Sequence, residues 1–157
     1  MKVAYGDIWQ LYDQGMAVVI PTNMCKRQNG EAVMGAGLAR QATERFPWLA
    51  KQYGELLHCE VPRFIFPEHR LILIPTKRDW REPSPLSLVE EGVRWLQKQE
   101  LLFAAWNWEV AVPPLGCGLG GLPFEKVRPI LEQLSDRFYL VLRRQAFGPL
   151  SPRPSAF

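Results

Sequence analysis

Hydrophobic positions along this chain follow two alternating periods. Short apolar or β-branched runs occur at Ala17–Ile20, Leu71–Ile74, Glu109–Val112 and Phe138–Leu142. Such runs, with no polar residue alternating between apolar ones, suit strands buried on both faces. Lys2–Tyr5 reads as a short opening strand and Arg63–Phe66 as a minor one. Between the runs, apolar residues recur at helical spacing: Leu38, Ala42 and Phe46, then Leu49, Tyr53, Leu56 and Leu57. The same spacing returns at Leu86, Val89, Val93 and Leu96, and at Phe124, Val127, Leu131 and Leu134. The pattern predicts roughly five or six strands alternating with about four helices. Strict alternation places helices on both faces of a largely parallel sheet. The expected fold is therefore α/β, a three-layer α/β/α sandwich with a mixed, mainly parallel central sheet.

Prolines and polar residues mark the ends of these elements. Pro21 is expected to end the second strand, Pro75 the strand at Leu71–Ile74, and Pro113-Pro114 the strand at Glu109–Val112, since proline brings no amide to a ladder. Ser84 is expected to cap a helix opened by Pro85, and Pro123 to open another that starts late or bends at Pro129. Leu101–Trp108 reads as a connection.

In open α/β sheets, the residues just past strand carboxyl ends line the ligand crevice. Three loops fall there. The first follows Asn23 and leads through the polar stretch Met24–Ala32 to Gly35-Ala36-Gly37, at a helix start. The second is Lys77-Arg78-Asp79-Trp80-Arg81, the most basic stretch of the chain. The third, Pro114 to Gly121, carries Gly116, Gly118, Gly120 and Gly121 around Cys117 and Leu119. Glycine turns that open helices can hold an anion on backbone amides. Neither turn carries G-x-x-x-x-G-K-[ST], and neither a Rossmann nor a P-loop label is taken from these glycines alone. Each feature also has a plainer reading: a tight turn for the glycines, a solvated turn for the cations, an N-cap for Asp7.

Length and composition narrow the class. With 157 residues and 47% hydrophobic content, one globular domain is expected, spanning 1–147 with a loose proline-rich tail over 148–157. Net charge is +3, from 19 basic and 16 acidic residues; that is compatible with an anionic ligand and does not demand nucleic acid. No run approaches the ~18 apolar residues of a membrane span, and the start MKVAYGDIW lacks a signal-peptide core. Cys25, Cys59 and Cys117 are odd in number and distant from one another, against a disulfide framework or zinc knuckle. A reduced, cytoplasmic protein without a metal is expected.

The order of these pieces resembles the macro domain family over roughly Lys2 to Leu142. Gly6-Asp7-Ile8, the strand ending in Asn23, Val33-Met34-Gly35-Ala36-Gly37-Leu38-Ala39, Pro75-Thr76-Lys77-Arg78-Asp79-Trp80-Arg81 and Pro113 to Leu122 carry the resemblance. The M-G-x-G and P-T-K-x-x-W-R pieces are similar to a lysine-dependent subgroup. That subgroup includes glutamate-ADP-ribose hydrolases and antitoxin macro domains that remove ADP-ribose from DNA. The resemblance implies that Asp7 and Ile8 hold adenine and that Asn23 contacts the distal ribose. Gly35, Ala36 and Gly37, with Pro114, Gly116, Cys117, Gly118, Leu119, Gly120 and Gly121, would hold the diphosphate and that ribose. Lys77 would be catalytic, and Trp80 and Arg81 would meet substrate. The implied ligand is ADP-ribose, free or on a macromolecule such as DNA, with no cofactor and no membrane, and the chain is expected to act as a monomer. The implied activity is hydrolytic removal of ADP-ribose; the alternatives are a non-catalytic ADP-ribose-binding module or a phosphatase of ADP-ribose phosphate. Two departures stand out: the protein-directed enzymes carry aspartate where this chain has Gly120, a position that is glycine in the DNA-directed pattern, and the loop Met24–Ala32 is longer than in either group.

Overall fold

The computed structural model describes residues 1–143. Arg144, the expected domain end at 147 and the tail over 148–157 lie outside the described residues. The chain runs β1 (Lys2–Tyr5), α1 (Ile8–Asp13), β2 (Ala17–Asn23), α2 (Gly37–Arg45), α3 (Leu49–His58) and β3 (Phe64–Phe66). After a single 3-10 turn it continues as β4 (Leu71–Lys77), α4 (Leu86–Lys98), α5 (Glu100–Ala105), β5 (Val110–Val112), α6 (Phe124–Leu131) and β6 (Phe138–Leu142). The six strands form one sheet in the order β1-β6-β5-β2-β4-β3. Every pairing is parallel except β3 with β4.

Adjacent residues of the central strands point to opposite faces. Val19, Ile72, Ile74, Val110 and Val112 pack with α4, α5 and α6 on one face, while Val18, Ile20, Leu71, Leu73 and Ala111 pack with α1, α2 and α3 on the other. All ten of these side chains are fully buried, which is why the runs are apolar at every position. The result is the expected three-layer sandwich with a mixed, mainly parallel sheet.

Four local expectations need correction. β2 and β4 do not stop at Pro21 and Pro75; they run on to Asn23 and Lys77. Successive residues of a parallel strand turn their amides to opposite neighbours: Ala17 donates to Glu109 beside β5, and Val18 to Arg70 beside β4. On this alternation Pro21 faces β5, which has already ended at Val112, and Pro75 faces β3, whose ladder stops at the Phe64–Leu73 pair. Neither proline sits where a ladder amide is required. Leu101–Trp108 is not a plain connection, because α5 occupies its first half with Phe103 fully buried. Ser84 does not cap α4, which begins at Leu86 with Pro85 in the cap position. Its hydroxyl is buried without a partner among the described residues, and its amide donates to Gly120 at 2.9 Å. Tertiary packing under the third loop thus overrides the local cap signal. Pro123 likewise caps α6 instead of opening it, and the helix starts at Phe124 and carries Pro129 inside it.

Candidate active site

β5, β2 and β4 are neighbours and parallel, so their carboxyl ends meet at one edge of the sheet. The last ladder pair between β2 and β4 joins Asn23 to Lys77, after a register shift between Thr22 and Asn23. A register shift at this point can change where the side chains past it are aimed. Beyond this pair opens a cavity of about 1040 Å³.

Its first wall is the turn into α2. Gly35, Ala36 and Gly37 line the cavity. Gly37 has φ +60°, in the left-handed region that glycine enters without strain. Ala36 is the N-cap and has no capping side chain, and the first turn of α2 holds no acid. The positive end of this helix is thus unopposed from within its own turn.

The second wall is the loop after β4. Lys77, Trp80, Arg81, Glu82 and Pro83 line the cavity here. Lys77 Nζ donates to the Trp80 carbonyl at 3.3 Å. Asp79 organises the loop: it accepts from the Arg81 amide, Nε and Nη2 at 2.9, 2.9 and 2.7 Å. These bonds hold the Asp79 carboxyl down at about 2 and raise Arg81. The Arg81 guanidinium lies 5.7 Å from the Trp80 ring centroid, and Trp80 is 53% exposed, a flat aromatic face open to solvent. The loop that is most basic in sequence is therefore partly neutralised within itself.

The third wall is the glycine loop after β5, contributed by Pro114, Gly116, Gly118, Leu119, Gly120 and Gly121. Gly116 has φ +76°, and a Cβ there would lie 2.7 Å from Leu122. A Cβ on Gly120 would lie 2.2 Å from Ser84 Oγ and 2.4 Å from the Gly116 carbonyl. No side chain fits at Gly120 without rebuilding the loop.

The structure places four expected residues away from the cavity or in other contacts. Cys117 is buried behind the loop, with Sγ 3.7 Å from the Leu115 carbonyl. Burial pushes its thiol up to about 11, opposite to the lowered value a reactive cysteine needs. Asp7 caps α1, accepting from the Trp9 amide at 3.0 Å. Ile8 is buried in the hydrophobic core on the α1, α2 and α3 side of the sheet. Both follow the carboxyl end of β1, at the same sheet edge, and neither lines the cavity. Asn23 does line it, yet its side chain also closes the long loop: Nδ2 donates to the Val33 carbonyl and Oδ1 accepts from the Cys25 amide, each at 2.9 Å.

Sequence reasoning missed Arg27, Glu82 and Pro83 in the cavity wall. Arg27 sits in a polar stretch with no period and no motif, so nothing local marks it.

Glycine turns and a lysine converging at the carboxyl ends of parallel strands define an α/β protein with an anion-accepting crevice. No family model matches the chain. It is 35% identical over 125 residues to a DNA ADP-ribosyl glycohydrolase of Mycobacterium tuberculosis, covering 69% of this chain and 34% of that protein. It is 34% identical over 125 residues to the DNA ADP-ribosyl glycohydrolase of Thermus aquaticus, covering 67% and 31%. The chain thus spans about a third of the length of these curated relatives. Among solved structures, the macrodomain of Mycobacterium tuberculosis DarG superposes with a TM-score of 0.71 at 28% identity, covering 89% of this chain and 95% of that one. The macrodomain of Thermus aquaticus DarG superposes at 0.70 with 26% identity and the same coverage. The chain belongs to the macro domain family.

Proposed function

We propose that this chain binds ADP-ribose in the crevice and hydrolyses it from ADP-ribosylated DNA, with Lys77 as the catalytic residue. The observation that carries this reading is the position of Lys77. It ends β4 opposite Asn23 and lines the same cavity as both glycine turns, in a chain related to proteins named for this reaction. The two glycine turns supply amides for the diphosphate, and the bond to be broken lies at the far ribose. Hydrolysis there gives the anomeric carbon a hydroxyl and returns a proton to the released base. Positive charge develops on the sugar as the bond breaks. An amine at Lys77 can attack the anomeric carbon or orient the phosphate beside it. Trp80, half exposed at the cavity mouth, offers a stacking face for a base of the DNA strand.

The test is release of ADP-ribose from a modified single-stranded oligonucleotide by wild type and Lys77→Ala. The variant should lose turnover while its affinity for free ADP-ribose stays within about tenfold, or ~1.4 kcal/mol. Turnover at the wild-type rate in the variant would remove Lys77 from the mechanism. Equal loss of binding and turnover would make it a phosphate clamp.

A further inference from the structure

We propose that Arg27, presented by the loop Met24–Ala32, is a phosphate-binding residue of the crevice; this rests on the reading that the crevice takes ADP-ribose on DNA. The loop is built rather than loose. Lys26 and Ala32 form an antiparallel bridge, Arg27 N donates to the Glu31 carbonyl at 2.7 Å, and Gly30 N donates to the Arg27 carbonyl at 2.9 Å. Asn23 ties its base, as described above. Its far side is seated on α3, where the Ala32 amide donates to the Ala50 carbonyl at 2.8 Å. The backbone carrying Arg27 is therefore fixed from both sides.

The side chain reaches the cavity. Arg27 Nη2 lies 3.7 Å from where a Cβ of Gly35 would stand, at the uncapped start of α2. Several other arginines of the described residues are committed: Arg81 to Asp79, Arg45 to Asp13, Arg63 to Glu91, and Arg70 to the Tyr12 and Met16 carbonyls; Arg78, Arg94 and Arg143 make no such contact among the described residues, and none of them lines the cavity. The Arg27 guanidinium has no such hydrogen bond or ion pair among the described residues. This exposed guanidinium, beside the uncapped start of α2 and with no protein partner, leaves its donors to water or to a ligand in the cavity. Phosphate oxygens match those donors, since a guanidinium binds them through two parallel hydrogen bonds.

Two phosphates could fill the place: the diphosphate of ADP-ribose, or a backbone phosphate of the DNA strand next to the modified nucleotide. Arg27→Ala and Arg27→Lys separate them, read by calorimetry with free ADP-ribose and by turnover of an ADP-ribosylated single-stranded oligonucleotide across a range of salt. For the diphosphate, Arg27→Ala should weaken free ADP-ribose by about tenfold or more, with lysine restoring only part of it because the fork is lost. For the DNA phosphate, free ADP-ribose affinity should stay within about twofold, while KM rises and the salt slope of log KM falls by about 0.7. Free ADP-ribose affinity, KM and salt slope all unchanged in Arg27→Ala, with an active wild type, would overturn the inference. A wild type that neither binds nor turns over these ligands would instead refute the functional reading, and this inference with it.

Discussion

Gly54 provides a test in which local propensity and tertiary packing predict opposite signs. It lies inside α3 (Leu49–His58), and glycine in a helix interior is less favourable than alanine by about 0.8–1 kcal/mol. On that ground alone, Gly54→Ala should stabilise the protein. The packing says otherwise. A Cβ at Gly54 would stand 2.0 Å from the Gly30 carbonyl oxygen and 2.9 Å from the Ala32 nitrogen. Both are backbone atoms, so no rotamer change relieves the contact; the loop or the helix must shift. Overpacking of this kind costs about 1–3 kcal/mol. Displacing the Ala32–Ala50 hydrogen bond adds about 1 kcal/mol. Setting the helix gain against these leaves a net destabilisation of about 1–3 kcal/mol. For a domain of this size, about 2 kcal/mol lowers Tm by roughly 4–8 °C. Calorimetric melting of the variant reads the sign directly. Because the same loop presents Arg27, oligonucleotide KM should rise with the loss of stability. A Gly54→Ala protein that melts at or above wild type would show that the long loop is not seated on α3, and would undercut the placement of Arg27 as well.

Two further predictions use single side chains. Asp7→Ala should cost about 1 kcal/mol of stability through the lost N-cap, read by urea unfolding, while Asp7→Asn should keep the cap; weakened ADP-ribose binding in the asparagine variant would mark a contact to the base, and unchanged binding would leave Asp7 a cap alone. Burial raises the Cys117 thiol from 9.0 to about 11, so its contribution to stability is complete below about pH 9 and is lost as pH rises through 11. Iodoacetamide on the native protein at pH 8 should therefore modify exposed Cys59 and spare Cys117 until the chain is unfolded; rapid native labelling of Cys117 would refute its placement behind the loop.

Much of this architecture is legible in the chain because burial on both faces leaves a strong trace. Val18–Ile20 and Leu71–Ile74 must satisfy two helical layers at once, so every position is apolar. The glycine turns and Lys77 are legible because they sit directly after those runs. The misreadings share a different cause. Pro21 and Pro75 stop strands only where a neighbour needs their amides, and the neighbours β5 and β3 are too short to need them. Ser84-Pro85 carries a local cap signal that packing against Gly120 overrides. α5 has six residues, too few to display a helical period. Gly54 and Arg27 have no local signature at all. Their roles arise from contacts between segments distant in sequence, such as α3 and the long loop, which periodicity cannot report.

The packing around Gly120 bears on how the reaction can be run. The position is enclosed by Ser84 Oγ and the Gly116 carbonyl, and the loop is closed by bonds from Ser84 N to Gly120 O and from Leu122 N to Gly116 O, both 2.9 Å. An aspartate at 120 would have to displace backbone atoms or the buried Ser84 hydroxyl, so glycine there is required by the fold of the loop and not merely tolerated. A carboxylate for proton transfer must then come from elsewhere or not be used. Glu82 is the acid that lines the cavity among the described residues, on the same loop as Lys77. The same loop geometry that holds glycine at 120 leaves this stretch of the cavity wall without a side chain at that position. Amides suit a diphosphate and cannot take up a proton. If this crevice carries out the proposed hydrolysis, it must rely on binding and orienting the two phosphates and on the Lys77 amine, and the proton for the leaving base must come from Lys77, Glu82 or water.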